Sequence, residues 1–256
     1  MAEVSPLVVS VEEAAREPYN LVLSYPRLEK DSLEERVRQL CELGVTHLVF
    51  EGQLKLDGLS LLGKGVAGMV AVGIIGGRRV ALKIRRLDSR RQDMAHESKM
   101  LQTANSAGVG PMYVGSTSDV LAMELVEGQR LPFWLSNLKG RGRKKRVKTT
   151  VKTMLEQCRK LDSLGLDHGE LSRAHKNVLV TGDDRPWILD FESASVSRRR
   201  SNFTSLAQYL FLGGGVARKV CRVLGPVERE ELLKCLRRYK AGDVSAFQSA
   251  TGLLGL

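Results

Sequence analysis

β-Branched residues crowd the run Met69-Val70-Ala71-Val72-Gly73-Ile74-Ile75, two glycines follow, and Val80-Ala81-Leu82-Lys83 comes next. β-Branched runs around paired glycines predict strand, turn, strand. Alternation along the second strand puts Val80, Leu82 and Ile84 on one face and Ala81, Lys83 and Arg85 on the other. From Asp88 to Ala104 the pattern turns helical, with Met94, Leu101 and Ala104 on one arc. Residues 147–164 read as a long helix, apolar at Val147, Val151, Met154, Leu155, Cys158, Leu161 and Leu164, with Gly165 as its stop signal. Further helical patterns cover roughly 202–212, 216–224 and 226–240, the last entered through Pro226. Nearer the start, Ser32-Leu33-Glu34-Glu35 has the form of a capping box. The helix it opens turns Leu33, Val37, Leu40 and Leu43 inward and stops at Gly44, and Val45 to Phe50 then reads as a strand.

Ahead of the hairpin, Gly63, Gly65 and Gly68 fit G-x-G-x-x-G-x-V, with Lys64 between the first two and Val70 at the end. In a dinucleotide-binding fold the last glycine would open a helix, with an acid about 20 residues on. Here a strand follows, and the Gly-Lys-Ser/Thr ending of a Walker A loop is absent. Glycines that only mark a tight β-turn are the other reading of the triplet. Ala81, two residues before Lys83, offers a flat patch for a purine ring beside a cation able to reach phosphates; a solvated lysine on an edge strand is the plainer alternative. Glu97 falls inside the apolar arc of the next helix. A carboxylate there is costly unless paired, and Lys83 is the obvious partner, which favours the pair over a boundary glutamate reaching solvent.

A lysine on the third strand paired with a glutamate on the next helix is the protein-kinase arrangement. From about Leu59 to Ser195 the chain resembles the protein-kinase-like superfamily, within it the small atypical RIO-type kinases and the related kinase of the KEOPS tRNA-modification complex. The resemblance implies an α+β, bilobal protein-kinase-like fold. Residues 58–128 would form a small β-rich N-lobe with one helix and the hinge, 129–256 a short helical C-lobe, and 1–57 an N-terminal α/β extension. It also implies ATP and Mg²⁺ as cofactors. The glycine loop would cover the phosphates and Lys83 would hold them, while Met123 to Gly128 would be the hinge, with Glu124 and Val126 meeting the adenine edge.

His168-Gly169-Glu170-Leu171 sits where kinases place the catalytic loop, and His-Gly-acid is the form of RIO-like and small-molecule kinases. Glu170 then matches the acid that accepts the substrate hydroxyl proton, one methylene longer than the usual aspartate. His175 lies five positions on from Glu170, where kinases carry the second metal ligand, and Asn177 lies seven on, directly before Val178-Leu179-Val180. Asn177 is favoured because Mg²⁺ prefers oxygen, with His175 as the alternative. Trp187-Ile188-Leu189-Asp190-Phe191-Glu192 matches the metal-binding Asp-Phe-Gly block, with Asp190 as ligand and Glu192 in place of glycine. The stretch after it is short, lacks an Ala-Pro-Glu element and carries Arg198-Arg199-Arg200 where a long activation loop would stand. That speaks against conventional peptide recognition and activation-loop phosphorylation.

Charge adds a partner class. Forty Lys and Arg against 29 Asp and Glu give a net charge of +11, and seven of the ten residues from Lys139 to Lys148 are basic. Such a run is either a solvated loop or a contact for an anionic macromolecule, here RNA or a ribonucleoprotein. The four cysteines lack paired spacing, and no signal peptide or long apolar span is seen, so a cytoplasmic protein with no membrane segment is expected. The expected function is an ATP- and Mg²⁺-dependent serine/threonine phosphotransferase acting on a protein hydroxyl, or an ATPase switch acting on water. Its rivals are a small-molecule kinase and a pseudokinase scaffold that binds RNA or protein. An acidic pocket would favour the first rival, and salt-sensitive RNA binding indifferent to nucleotide the second.

Overall fold

A computed structural model describes residues 6–256. They form a mixed α+β protein that divides into two compact units. One comprises the described residues up to Lys99 with Met112–Leu125, the other Met100–Pro111 with Val126–Leu256.

The first unit begins with strand β1 (Leu7–Ser10), short helices α1 (Val11–Ala14) and α2 (Leu21–Ser24), helix α3 (Lys30–Glu42) and strand β2 (Val45–Phe50). A small hairpin, β3 (Leu54–Leu56) and β4 (Leu59–Leu61), leads to β5 (Gly63–Lys64), β6 (Gly68–Ile75) and β7 (Arg78–Arg85). Helix α4 (Ala95–Asn105) starts in this unit, and β8 (Tyr113–Ser116) and β9 (Val120–Glu124) complete it. The main sheet is antiparallel in the order β1-β2-β6-β7-β9-β8, with β5 paired to β6.

Alternation on β7 falls as the sequence dictates. Leu82 and Ile84 are buried on one face with Met69 and Ala71 of β6 and Val120 and Ala122 of β9. The cover for that face is the chain's own beginning: Val22, Leu23 and Leu40 from α2 and α3 join the same cluster, with Val9 and Leu48 from β1 and β2. Residues 6–57 are thus not a separate body but half of a shared core, where each fully buried aliphatic side chain contributes about 1.5–3 kcal/mol.

Two expected helix starts are corrected here. Helix α3 begins at Lys30, with Glu29 at its cap position, and the Ser32 hydroxyl donates to Glu29 Oε2 instead of capping a helix of its own. The capping box of this region belongs to α1, where Ser10 and Glu13 exchange hydrogen bonds. Helix α4 begins at Ala95, not Asp88. Asp88 is held by Arg86, and Asp93 Oδ1 accepts from Ala95 N at 3.0 Å, which sets the start.

The second unit opens with β10 (Gly128–Arg130), α5 (Leu131–Asn137) and the long helix α6 (Arg143–Ser163). A single 3₁₀ turn (Leu171–Arg173) and the short helix α7 (Ala174–Asn177) lead into β11 (Val178–Thr181) and β12 (Pro186–Ile188). β10, β11 and β12 form an antiparallel three-stranded sheet. Helices α8 (Asn202–Phe211), α9 (Gly214–Leu224), α10 (Arg229–Lys240) and α11 (Ser245–Leu253) finish the unit. The predicted stripe of α6 is buried from Val147 to Leu161, but Leu164 lies past the helix end and is exposed. The helix also starts earlier than its apolar pattern shows, so much of the basic run is helical. Pro226 does not open α10; Glu228 occupies the cap position in extended conformation and the helix starts at Arg229. Helix α11 went unpredicted, although Ala246, Phe247 and Ala250 share a buried face. Phe247 packs on Phe203 and Tyr239, tying α11 to α8 and α10. Among the described residues, no helix is long and apolar enough to cross a membrane.

Candidate functional site

The residues singled out by the sequence fall into two groups, one in each unit. In the first, Lys83 Nζ lies 2.9 Å and 2.8 Å from the two carboxylate oxygens of Glu97, with both side chains 6% exposed. The strand register sets Val70 opposite Lys83 and Val72 opposite Ala81 on the face away from the shared core. Ala81 is buried beside them. Gly68 leaves room for the lysine stem: a Cβ there would sit 2.8 Å from Lys83 Cγ and 3.1 Å from Ile84 O. Gly63 carries no such constraint, since a Cβ at that position meets nothing.

The glycine loop is tied down by residues the sequence reading passed over. Arg86 donates through Nη1 to Gly65 O at 3.0 Å and through its backbone N–H to Ala67 O at 2.7 Å. Its guanidinium and the Lys64 ammonium both lie over the Tyr25 ring, 5.0 Å and 4.2 Å from the centroid, and Lys64 Nζ also donates to the Tyr25 hydroxyl. Lys64 therefore belongs to a clamp between the loop and the segment after α2. Glu124 ends β9, where its N–H donates to Met112 O and its carboxylate accepts from Met112 N. Val126 begins the second unit's share of that segment and is half-buried.

In the second unit, Glu170 and Asn177 come together. Asn177 is buried, and its Nδ2 donates to Glu170 Oε2 at 3.4 Å. With the amide nitrogen turned to Glu170, the amide oxygen is the atom left for a cation. His175 is exposed and stacks near Tyr209, with centroids 6.2 Å apart. Asp190 is exposed, two residues beyond β12, in the left-handed region with φ +66°. Such a backbone is costly outside glycine and recurs where a site over-determines it. Asp190 and Asn177 each carry an oxygen of the kind that holds hard divalent cations.

Hydrogen bonds hold the segment that carries Glu170. His168 is fully buried; its N–H donates to Asn202 Oδ1 at 2.8 Å and its Nε2 donates to Leu189 O at 2.9 Å. Burial holds the imidazole below its ordinary pKa, against the opposing bond to Leu189 O and the carboxylates of Asp190, Glu170 and Asp167. Gly169 has φ +86°, and a Cβ there would meet the Arg198 guanidinium at 2.4 Å. Arg198 donates to Asp167 Oδ2 at 2.7 Å and to Ser193 O at 2.8 Å. Beneath them, Asp162 accepts from Asn202 N and Nδ2, Phe203 N and the Tyr239 hydroxyl. Burial still pushes its carboxyl above the usual carboxylate range. Asp162 went unremarked in the sequence, yet it lies in the α6 stripe with Leu155, Cys158 and Leu161, so the criterion that picked out Glu97 also picks it. Ser193 carried no signal; it reaches Glu170 only through tertiary structure.

No family model matches the chain. A relative does: the uncharacterized protein MJ1211 of Methanocaldococcus jannaschii is 30% identical over 98 residues, which take in 38% of this chain and 79% of that protein. The chain belongs to the same family as that protein.

Proposed function

We propose that this chain is an ATP- and Mg²⁺-dependent phosphotransferase of the protein-kinase-like superfamily, similar to the atypical RIO-type serine/threonine kinases. In this reading the first unit is the small β-rich lobe and the second the mainly helical lobe. The observation that carries it is the buried pair of Lys83 and Glu97. Withdrawing two ions from water costs several kcal/mol per ion, and apolar residues of like volume would serve the fold at least as well. A cation kept at that cost, fixed by a carboxylate and given passage by Gly68, is suited to hold an anionic group such as a nucleotide phosphate.

The other residues take roles to match. The loop from Gly63 to Gly68 covers the phosphates, and Val70 and Ala81 offer an apolar bed for the purine, whose edge meets the backbone at Glu124 and Val126. Glu170 accepts the proton of the attacking hydroxyl. Asp190 and Asn177 would hold Mg²⁺, which when bound neutralises charge on the transferring phosphoryl group. The acceptor is a protein serine or threonine hydroxyl, or water.

The start of α6 supports an anionic macromolecular partner. Arg143, Lys144, Lys145 and Arg146 occupy its first turn with no acid among them, and only Arg146 is committed, to Asp184 at 2.5 Å. Four cations at a helix N-terminus oppose the macrodipole and are relieved by an anion such as an RNA backbone. The four cysteines, all free and one fully buried, suit the reducing cytoplasm.

The test is Mg²⁺-dependent ATP binding and turnover by the full chain beside Lys83→Ala, Glu170→Ala and Asp190→Ala. The parent should bind and turn over ATP. Glu170→Ala should lower turnover by about 10²–10⁴ with binding retained, as removal of a general base does. Lys83→Ala should weaken binding itself. No ATP binding at any Mg²⁺ concentration would overturn the reading.

A further inference from the structure

We propose that Ser193 is a phosphate acceptor within this chain, modified in cis through Glu170. The proposal rests on the phosphotransferase reading and adds a substrate to it. Ser193 Oγ donates to Glu170 Oε1 at 2.9 Å, so a hydroxyl of the chain already presents its proton to the carboxylate that takes one. The neighbouring hydroxyls are engaged elsewhere: Ser195 and Ser197 bond to each other at 3.0 Å, and Ser201 donates to Asp167 at 3.0 Å.

Ser193 is also held in place. Ser195 and Asp167 exchange backbone hydrogen bonds at 2.8 Å and 2.9 Å, Ala194 N donates to Phe191 O at 3.0 Å, and Arg198 ties Ser193 O to Asp167. Folding itself has thus met the entropic cost of presenting an acceptor to the base. The Arg198 guanidinium, 2.8 Å from Ser193 O, supplies a cation beside the spot where a phosphoserine dianion would form.

In the step, Ser193 Oγ bonds to the γ-phosphorus of ATP as the bond from that phosphorus to the β,γ-bridging oxygen breaks. The hydroxyl proton passes to Glu170, and the products are phosphoserine and ADP. Glu170 then returns its proton to water. Once modified, Ser193 no longer donates to Glu170, and the base is released to another hydroxyl.

The experiment incubates the full chain with Mg²⁺ and radiolabelled ATP and maps the label by mass spectrometry. One phosphate per chain is expected at Ser193, with a rate constant unchanged on dilution of the protein. Ser193→Ala should lose the label while ATP affinity, measured separately, stays the same. Ser193→Thr should restore it as phosphothreonine. Glu170→Gln should slow labelling by at least about 100-fold, the lower end of general-base effects. Label elsewhere, a rate that depends on protein concentration, or ATP hydrolysis with no label would each overturn the proposal and leave the phosphotransferase reading standing. Absence of ATP binding would overturn both.

Discussion

Lys83 and Glu97 in the first unit are withdrawn from water almost completely, whereas Glu170, Ser193 and Asp190 in the second keep access to it. In the first unit charge is fixed by burial and by direct ion pairing. In the second it is fixed by a relay of hydrogen bonds, from Asp162 through Asn202 to His168 and from Arg198 through Asp167. Each unit is therefore vulnerable in its own way. A dry ion pair fails all at once when one member goes, while a hydrogen-bonded framework loses its parts in smaller steps.

Glu97→Leu should have the largest effect on the first unit. It takes from a buried lysine the carboxylate 2.8 Å away and should cost about 3–5 kcal/mol, read as a lower urea midpoint. Adding Lys83→Met should recover most of that stability and none of the ATP binding. Equal loss in single and double variants would mean that the pair is not the unit of stability.

Gly68→Ala should come next. Its Cβ would press on the Lys83 stem and on Ile84 O, and overpacking of this kind costs about 1–3 kcal/mol. ATP affinity should fall with it as Lys83 is displaced. Gly63→Ala, whose Cβ meets nothing, should leave the unfolding midpoint in place. Matching destabilisation in the two variants would argue that the glycines matter for loop flexibility and not for the passage of the lysine.

The smallest expected effect is a slope. His168 has a folded pKa below its ordinary value of 6.5 because burial disfavours the cation. The unfolded chain therefore binds this proton more readily, and the stability His168 contributes at neutral pH is lost as pH falls below that value. His168→Gln should flatten the fall in urea midpoint between about pH 7 and 5, the range around the unperturbed imidazole pKa. An unchanged slope would assign it to other groups, but not to Asp162, whose raised carboxyl pKa makes its own contribution run the opposite way.

Much of this was legible in the residues. The period of two on β6 and β7 fixes which side chains share a face with Lys83, and the apolar stripe from Val147 to Leu161 fixes the inner face of α6. Local competition hid the rest. Asp88 to Asp93 could continue a helix, but Arg86 captures the first acid and the second caps Ala95. The Ser32 hydroxyl was free to cap, yet the helix had already started at Lys30. Tyr25 and Ser193 lie 39 and 23 residues from the groups they bond, and no local pattern encodes such contacts.

The shared core of the first unit bears on how this chain can be divided. Its recognisable motifs begin near Leu59, which invites the view that everything earlier was appended later and can be lost again. The sheet contradicts that view. Without β1, α2, α3 and β2, the edge of β6 and the faces of Leu82 and Ile84 would open to water. Such an edge beside apolar surface is a template for aggregation. The smallest heritable piece that could travel alone with its glycine loop therefore starts well before that loop, and any shuffled or shortened descendant would need another cover for the same face.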